Sequence, residues 1–202
     1  MLSQTKTCGS EMSVLLVEDI KRIKGEMIMS LLEIMEKRRS IRSYTGESIP
    51  KGKLETILAA GLLSASGRKR RPWEFIVVQD KETLLKLSKG RAHGASMLEQ
   101  AGAAIVVFAD PKKTDVWTED CSIAMANMHL MADSLGIGSC WIQGRMREAA
   151  DGRTTDEYVK ELLNVPDNYT IEAILSLGIT KESVPPHDLN ELPQEKIHWE
   201  RF

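Results

Sequence analysis

The sequence predicts one compact domain that combines α-helices with short buried strands. Its 202 residues are 42% hydrophobic, which is enough apolar material to form a sizeable core. Segments with apolar residues at helical spacing alternate along the chain with short runs of β-branched and other apolar residues. No shift in composition divides these segments into two groups, so one domain is the expected organisation.

We assign residues 1–29 to an N-terminal extension and residues 30–202 to the domain. The extension is polar and mixed in composition, apart from a modest apolar patch at residues 14–20. The sequence contains neither internal repeats nor low-complexity segments. We therefore expect the chemistry to be carried by residues after position 29.

Charge and cysteine content argue against several classes of protein. The formal net charge of −2 makes general binding to nucleic acid a poor fit. The three cysteines, Cys8, Cys121 and Cys140, lie far apart, which fits a reducing compartment and offers no metal framework. No apolar run approaches the roughly 20 residues that span a bilayer, and no signal-type start is present. The sequence thus predicts a cytoplasmic protein without a metal site or a membrane partner.

Capping signals and apolar spacing predict the helices. Ser30 and Glu33 have capping-box spacing, as do Thr154 and Glu157. The longest predicted helix starts near Asp115, carries a broad face of Met and Ala, and is stopped by Gly136. That face is typical of a core, and it could also pack against a second subunit. The predicted helices cover about residues 30–38, 50–62, 81–88, 96–101, 115–135 and 154–163.

Four short apolar runs predict the strands. They lie at residues 74–78, 103–109, 138–142 and 171–177, and the first reads as a buried strand. Residues 197–202, at the end of the chain, alternate apolar and polar side chains. An alternating segment in that position must pair with the edge of some sheet, either its own or that of a neighbour.

A basic cluster follows the first predicted helix and is the first candidate site. Arg38, Arg39, Ser40 and Arg42 occur where the chain leaves the helix in extended form, so their side chains can converge on one anion. Guanidinium groups suit a phosphate because they bind it bidentately and stay charged at every working pH. A solvated basic surface is the alternative reading of such a run.

A second basic run lies immediately before the strand at residues 74–78. The loop at residues 64–73 contains Arg68, Lys69, Arg70 and Arg71 before Pro72 and Trp73. Both basic runs therefore lie next to predicted apolar elements, which binding to nucleic acid does not explain.

Four motifs in this order resemble the nitroreductase family of flavoproteins. They are the Arg-Arg-Ser-Ile-Arg cluster, the Arg-Pro-Trp-Glu-Phe junction at residues 71–75, Glu119 and Asp120 with Asn127, and the Leu-Gly-Ile-Gly-Ser-Cys-Trp-Ile segment at residues 135–142. The resemblance covers residues 35–202. It implies an α+β fold with helices around a central mixed β-sheet. It also implies an intertwined homodimer with an FMN in each of two interface clefts, and C-terminal strand exchange between the subunits.

The resemblance also assigns the cofactor contacts, residue by residue. Arg38, Arg39, Ser40 and Arg42 match the family's contacts to the FMN phosphate and ribityl chain. Ser66, Arg68 and Lys69 match the loop along the pyrimidine edge of the flavin. The turn that meets the ring from the other side, largely through its backbone, is matched by Cys140, Trp141, Ile142, Gln143 and Gly144. A basic residue near the C-terminus, Arg201 or Lys196, is expected to complete the phosphate site.

Two departures from the family pattern put the substrate preference in doubt. The usual loop has Pro-Ser, then Asn, then Gln-Pro-Trp, whereas this chain has Ala65-Ser66, Lys69 and Arg71-Pro72-Trp73. The Tyr-Pro that often follows the glycine after the last strand is replaced by Ile179-Thr180.

The implied activity is hydride transfer from NAD(P)H, as co-substrate, through FMN to a small-molecule electron acceptor such as a nitroaromatic or a quinone. Cations near the flavin edge favour the negatively charged reduced form, and Arg68, Lys69 and Arg71 are placed to provide them. No acid–base residue of the protein is needed, so Glu119, Asp120 and His129 are interpreted as structural groups on the helix.

Two other functions account for part of the pattern. A flavin store or redox sensor would need the same cofactor contacts without the enzyme activity. A nucleic-acid-binding module would explain the cations, but not the net acidic charge of the chain.

Overall fold

The structure, a computed structural model, describes residues 29–202. Residues Ile34–Phe202 form one compact unit, and residues 29–33 fall outside it. The predicted N-terminal extension therefore lies outside the described residues, except for Met29. Within the described part of the chain, no helix is both long and apolar enough to cross a membrane.

Helices and strands occur close to the predicted positions. The elements are α1 (Leu31–Lys37), α2 (Lys51–Leu62), β1 (Trp73–Val78), α3 (Lys81–Ser88), β2 (Ala103–Ala109), α4 (Trp117–Ser134), β3 (Gly138–Gln143), α5 (Thr155–Leu163) and β4 (Thr170–Gly178). The predicted helix at residues 96–101 is a 3₁₀ turn over Ser96–Gln100.

The predicted caps explain where several helices begin and end. The backbone N–H of Glu33 donates to Ser30 Oγ at 3.2 Å, and the Ser30 N–H donates to the Glu33 carboxylate. Thr154 and Glu157 form the same reciprocal box at the start of α5. Helix α4 ends just before Gly136, whose φ of +70° lies in the left-handed region that favours glycine.

The four strands form one sheet in the order β1-β2-β4-β3. All three pairings between neighbouring strands are antiparallel. The family resemblance implies a mixed sheet, but the parallel component among the described residues is a single bridge between Ser40 and Ser139. The exchange of a C-terminal strand between subunits stays a prediction.

Strand β1 differs from the prediction of a buried strand. It is the edge strand next to β2, and its burial is uneven. Trp73 and Val78 are buried, whereas Glu74 is exposed and Val77 keeps 38% of its surface exposed. Only one side of the strand has a neighbour in the sheet, so an apolar run of this length need not be central.

Helices cover both faces of the sheet, as the sequence predicts. On one face, Ile57 of α2 and Met125 of α4 pack with Ile105 and Leu175 in a buried cluster. On the other face, a second cluster joins α3 and α5 to the opposite sides of β2, β4 and β3. Strands β2 and β4 are consequently buried on both sides. Strand β3 lies at the edge of the sheet, where Ser139 forms a bridge with Ser40.

Candidate functional site

The predicted anion-binding residues line one polar cleft, of about 460 Å³. We call Arg38, Arg39, Ser40 and Arg42 the clamp. The clamp follows α1 directly, and its backbone runs beside the start of β3, where the Ile41 N–H donates to the Ser139 carbonyl at 2.9 Å. The other residues that line the cleft are Glu182, Val184 and His187. The structure thus brings all four predicted clamp residues together.

Tyr44 fixes the clamp against the sheet. Its side chain is buried, and its hydroxyl donates to the Ile41 carbonyl at 2.7 Å and lies 2.8 Å from Ser176 Oγ on β4. A Cβ at Gly178 would lie 2.5 Å from the Tyr44 ring, so only glycine lets the ring pack there. Burial raises the pKa of Tyr44 above its usual range, so the hydroxyl stays neutral and available to donate.

Arg38 is oriented by a histidine on the long helix. Its Nη1 lies 2.9 Å from His129 Nε2, and His129 Nδ1 contacts Ser139 Oγ at the start of β3. Burial, together with the nearby charge of Arg38, lowers the pKa of His129 to about 4. His129 is therefore neutral near neutral pH, and it can accept a hydrogen bond from the guanidinium.

The clamp arginines have neutral partners. Arg39 Nη1 donates to the Pro185 carbonyl at 2.5 Å, and Arg42 Nη1 donates to the Ser40 carbonyl at 3.2 Å. Within residues 29–202, no carboxylate forms an ion pair with Arg38, Arg39 or Arg42. Each guanidinium carries five donors, so most of them remain for an anion in the cleft.

Glu182 is the acidic residue that lines the clamp cleft. Its Oε1 accepts from the backbone N–H groups of Arg42 and Ser43, at 2.8 and 3.3 Å. The carboxylate thereby ties the segment after β4 to the clamp. It also reduces the net positive charge of the cleft.

The second predicted group, Ser66, Arg68 and Lys69, lies in the loop at residues 64–73. The loop is held to helix α4, because the Gly67 N–H donates to Asp120 Oδ1 at 2.8 Å and Asn127 donates to Ser64 Oγ at 2.8 Å. Ser66 Oγ accepts from the Arg71 N–H at 3.1 Å and closes the loop. Asp120 thus holds this loop to α4, and its interpretation as a structural group stays a prediction.

Three non-glycine residues of this loop have left-handed backbones. The φ angles are +50° at Arg68, +58° at Lys69 and +46° at Arg71. Each such residue costs roughly 1–2 kcal/mol, and such strain persists only where the surrounding structure fixes it. Arg68 lines a cleft with Arg70 and Lys113, and it does not line the clamp cleft.

The third predicted group, Cys140 to Gly144, forms the end of β3 and the turn after it. Cys140, Ile142 and Gly144 are buried, whereas Trp141 and Gln143 are half-buried. The Trp141 indole N–H donates to Gln143 Oε1 at 2.9 Å. Trp141, Ile142 and Gln143 line a second cleft, of about 540 Å³, on this side of the sheet.

Beyond the clamp, no strand among residues 29–202 pairs with the outer edge of β3. The Ser139 carbonyl points away from β4, because it accepts from Ile41. Backbone groups of successive strand residues point to alternate sides, so Trp141 and Gln143 share the outward direction of Ser139. The Gln143 carbonyl indeed accepts from Arg91 Nη1 at 2.6 Å. This edge therefore offers backbone N–H groups to a planar polar ligand.

Arg201 lies apart from the other predicted residues. It is exposed, in the tail after β4, and it does not line the clamp cleft of its own chain. Lys196 is likewise exposed and outside the cleft. The expected contribution of a C-terminal cation to the phosphate site stays a prediction.

The sequence predictions omit several residues of these two clefts. His129 is interpreted only as a helix-face group, and its contact with Arg38 depends on the crossing of α4 over β3. Arg91, Arg145 and Arg147 line the cleft beside Trp141 and are absent from the predicted set. For Arg145 and Arg147, the Arg-Met-Arg run directly after Gly144 is a sequence feature that could have indicated a basic site.

Comparison with known proteins identifies the family. A model of the nitroreductase family matches residues 35–90 and 86–179. A protein named putative NADH dehydrogenase/NAD(P)H nitroreductase from Archaeoglobus fulgidus is 38% identical over 176 residues, which cover 85% of this chain and 98% of the relative. The chain belongs to the nitroreductase family.

Solved structures agree with this assignment. An FMN-dependent nitroreductase from Clostridium difficile superposes with a TM-score of 0.82 at 44% identity, over 85% of this chain and 99% of that one. A putative nitroreductase from Desulfovibrio desulfuricans, solved in complex with FMN, superposes with a TM-score of 0.66 at 25% identity, over 84% and 98% of the two chains. The α+β fold predicted from the sequence is confirmed.

Proposed function

We propose that this chain is an FMN-dependent oxidoreductase that uses NAD(P)H to reduce electron-poor acceptors, such as nitroaromatics and quinones, in a ping-pong scheme. The observation that carries the proposal is the clamp: three arginines without carboxylate partners among the described residues, beside an open strand edge. The family, and the relatives named for NAD(P)H and FMN, support it.

The residues of the chain fit FMN chemically. Arg38, Arg39, Ser40 and Arg42 would hold the phosphate and the ribityl chain, since their guanidiniums keep free donors for an anion. The backbone edge at Trp141 and Gln143 would meet the polar atoms of the ring, with Cys140, Ile142 and Gly144 as its buried support.

The loop at residues 64–73 is the proposed contact for the pyrimidine side of the ring. Ser66, Arg68 and Lys69 belong to a segment that Asp120 and Asn127 hold in place. Asp120 Oδ2 is buried and has no hydrogen-bond partner among the described residues. A buried carboxylate oxygen without a partner is costly, and a donor on a bound ligand would remove that cost.

Bound FMN would supply the chemistry, which is to accept a hydride from NAD(P)H and deliver it to the acceptor. The protein then contributes position and charge, and it needs no nucleophile. Burial raises the pKa of the Cys140 thiol, so this cysteine stays protonated and unreactive. His129, whose pKa is about 4, is occupied by Arg38 and Ser139.

The assembly we propose is a homodimer in which the C-terminal strand exchanges between subunits and Arg201 reaches the partner's phosphate site. The tail after β4 exposes large apolar side chains, with 54% of Ile197 and 84% of Trp199 accessible in the single chain. Side chains of this size favour burial against another surface. Free Cys121 and Cys140 fit the proposed cytoplasmic location.

Anaerobic stopped-flow mixing tests the enzyme activity. The purified protein, reconstituted with FMN, is mixed separately with NADH and NADPH, and the flavin absorbance is followed. We expect at least one nucleotide to bleach the flavin much faster than it bleaches free FMN, because the protein orients the two rings. If neither nucleotide does so, the protein is a flavin store or sensor instead of an enzyme.

A further inference from the structure

A group of three arginines lies beside the proposed ring site. Arg91, Arg145 and Arg147 line the cleft of about 540 Å³ that also contains Trp141, Gln143 and Glu172. We call it the arginine cleft. It is distinct from the clamp cleft, with which it shares no lining residue.

Two of the arginines are held by the end of β3 and its partner strand. Arg91 Nη1 donates to the Gln143 carbonyl at 2.6 Å, and its Nε donates to the His93 carbonyl at 3.2 Å. Arg145 Nε lies 3.2 Å from Glu172 Oε2, and the Glu172 side chain is only 5% exposed. Arg91 and Arg145 are therefore fixed close to the residues proposed to meet the flavin ring.

Arg147 has a looser attachment. Its Nη1 donates to the Met146 carbonyl at 3.1 Å, and the residue is exposed. Met146, which lies between Arg145 and Arg147 in the sequence, has a left-handed backbone with φ of +57°. Such a conformation in a non-glycine residue costs free energy, and here it accompanies the convergence of two cations.

The arginine cleft carries more positive than negative charge. Glu172 is the carboxylate that lines it, and Arg145 already pairs with Glu172. Among residues 29–202, Arg91 and Arg147 form no ion pair; Glu148 and His93 line the adjoining cleft that these two arginines share. Burial lowers the pKa of Arg91, and the nearby charge of Arg147 lowers it too. Two like charges that face each other favour a bound anion.

We propose that the arginine cleft binds a phosphate or carboxylate group of the substrate, whose reactive ring would face the flavin beside Trp141 and Gln143. The proposal deepens the proposed function and rests on it. The anion has two possible sources, namely the 2′-phosphate that distinguishes NADPH from NADH, or an acidic substituent on the electron acceptor. Either source would be selected by the same guanidinium groups.

Equilibrium binding to the FMN-loaded protein tests the cleft without turnover. Isothermal calorimetry compares adenosine 2′,5′-bisphosphate with adenosine 5′-monophosphate, and benzoate with benzamide. We expect one anionic probe to bind more tightly than its matched probe. Arg147→Gln should weaken the preferred probe about 10-fold, as the loss of a charge-assisted hydrogen bond implies. Arg91→Gln is the second variant, and Lys51→Gln, which removes an exposed charge outside the cleft, should change nothing.

Half-reaction kinetics distinguish the two sources. If the cleft binds the 2′-phosphate of the nucleotide, Arg147→Gln should slow reduction of the flavin by NADPH and leave reduction by NADH unchanged. If the cleft binds the acidic group of the acceptor, the variant should slow reoxidation of the flavin by 4-nitrobenzoate and leave reoxidation by 4-nitrobenzamide unchanged.

Three results would overturn the proposal: no preference of the wild-type protein for either anionic probe, unchanged affinity in both arginine variants, or loss of FMN from them. The last would show that these arginines hold the cofactor. Failure of the proposed function gives a different result. In that case neither NADH nor NADPH reduces the flavin of the wild-type protein, whereas the anionic probes still bind.

Discussion

At the scale of single residues, the contact between Arg38 and His129 decides how the clamp is prepared for an anion. A protonated histidine beside an arginine would repel it, whereas a neutral one accepts its hydrogen bond. The structure favours the neutral form, because burial and the Arg38 charge together lower the pKa of His129 to about 4. His129 also contacts Ser139, so the clamp and β3 are joined through one imidazole.

This histidine predicts a pH dependence of stability. The unfolded chain binds a proton at His129 near its ordinary pKa of 6.5, but the folded chain does so only near 4. The free energy of unfolding is therefore unaffected by this proton above about pH 6.5. It decreases as the pH falls towards 4, by about 3 kcal/mol in total. Urea unfolding between about pH 7 and pH 4 should show this loss in the wild-type protein.

His129→Gln supplies the control for that measurement. Glutamine can accept from Arg38 and does not titrate, so the unfolding free energy of the variant should fall less steeply over the same range. Parallel pH profiles for the two proteins would show that His129 does not titrate as described.

At the scale of elements, local sequence signals predict where the helices and strands lie, but they do not predict which strands pair in the sheet. Capping boxes at Ser30 and Thr154 fix helix starts that the structure confirms. Strand β1 is predicted to be buried and lies at an edge, because an apolar run does not reveal how many strands flank it. Which strand pairs with which depends on tertiary packing, and a local pattern does not contain it.

The candidate site shows the same division. The clamp could be predicted because its four residues are adjacent in sequence and converge after one helix. The arginine cleft could not, since Arg91 and Arg147 are 56 positions apart and meet only after β3 and the chain before β2 are placed together. Resemblance to the family supplied the role of residues 140–144, which composition alone does not indicate.

The C-terminal tail carries the prediction at this scale. Removal of residues 195–202 should abolish both flavin binding and dimerisation. The truncation removes Ile197, Trp199 and Phe202, which are exposed in the single chain, and it also removes Arg201. Light scattering over a dilution series and the absorbance of bound flavin measure the two losses. Leu85→Ser, which changes an apolar residue that is 48% exposed on α3, is the control and should retain both. A truncated protein that stays a flavin-bound dimer would contradict strand exchange.

At the scale of the whole molecule, the fold places the clamp and the proposed ring contacts of β3 along one edge of the sheet, whereas the loop at residues 64–73 leads into β1 at the opposite edge. Strand β3 contributes the ring contacts at one end and Ser139 at the other, where the clamp begins. Helix α4 crosses behind them, and it fixes the loop at residues 64–73 through Asp120 and the clamp through His129. One helix thus sets the positions of both predicted basic groups.

The central claim is that the clamp holds the phosphate of FMN, and the most direct test compares FMN with riboflavin, which lacks the phosphate. Fluorescence titrations give the affinity of each flavin for the wild-type protein and for Arg38→Ala, Arg42→Ala and Arg70→Ala. We predict that Arg38→Ala and Arg42→Ala each weaken FMN binding roughly 10- to 150-fold and change riboflavin binding little, as expected for charge-assisted hydrogen bonds to phosphate. Arg70→Ala, which removes a cation outside the clamp cleft, should affect neither flavin. Equal losses of FMN and riboflavin, or equal losses from all three variants, would contradict the account.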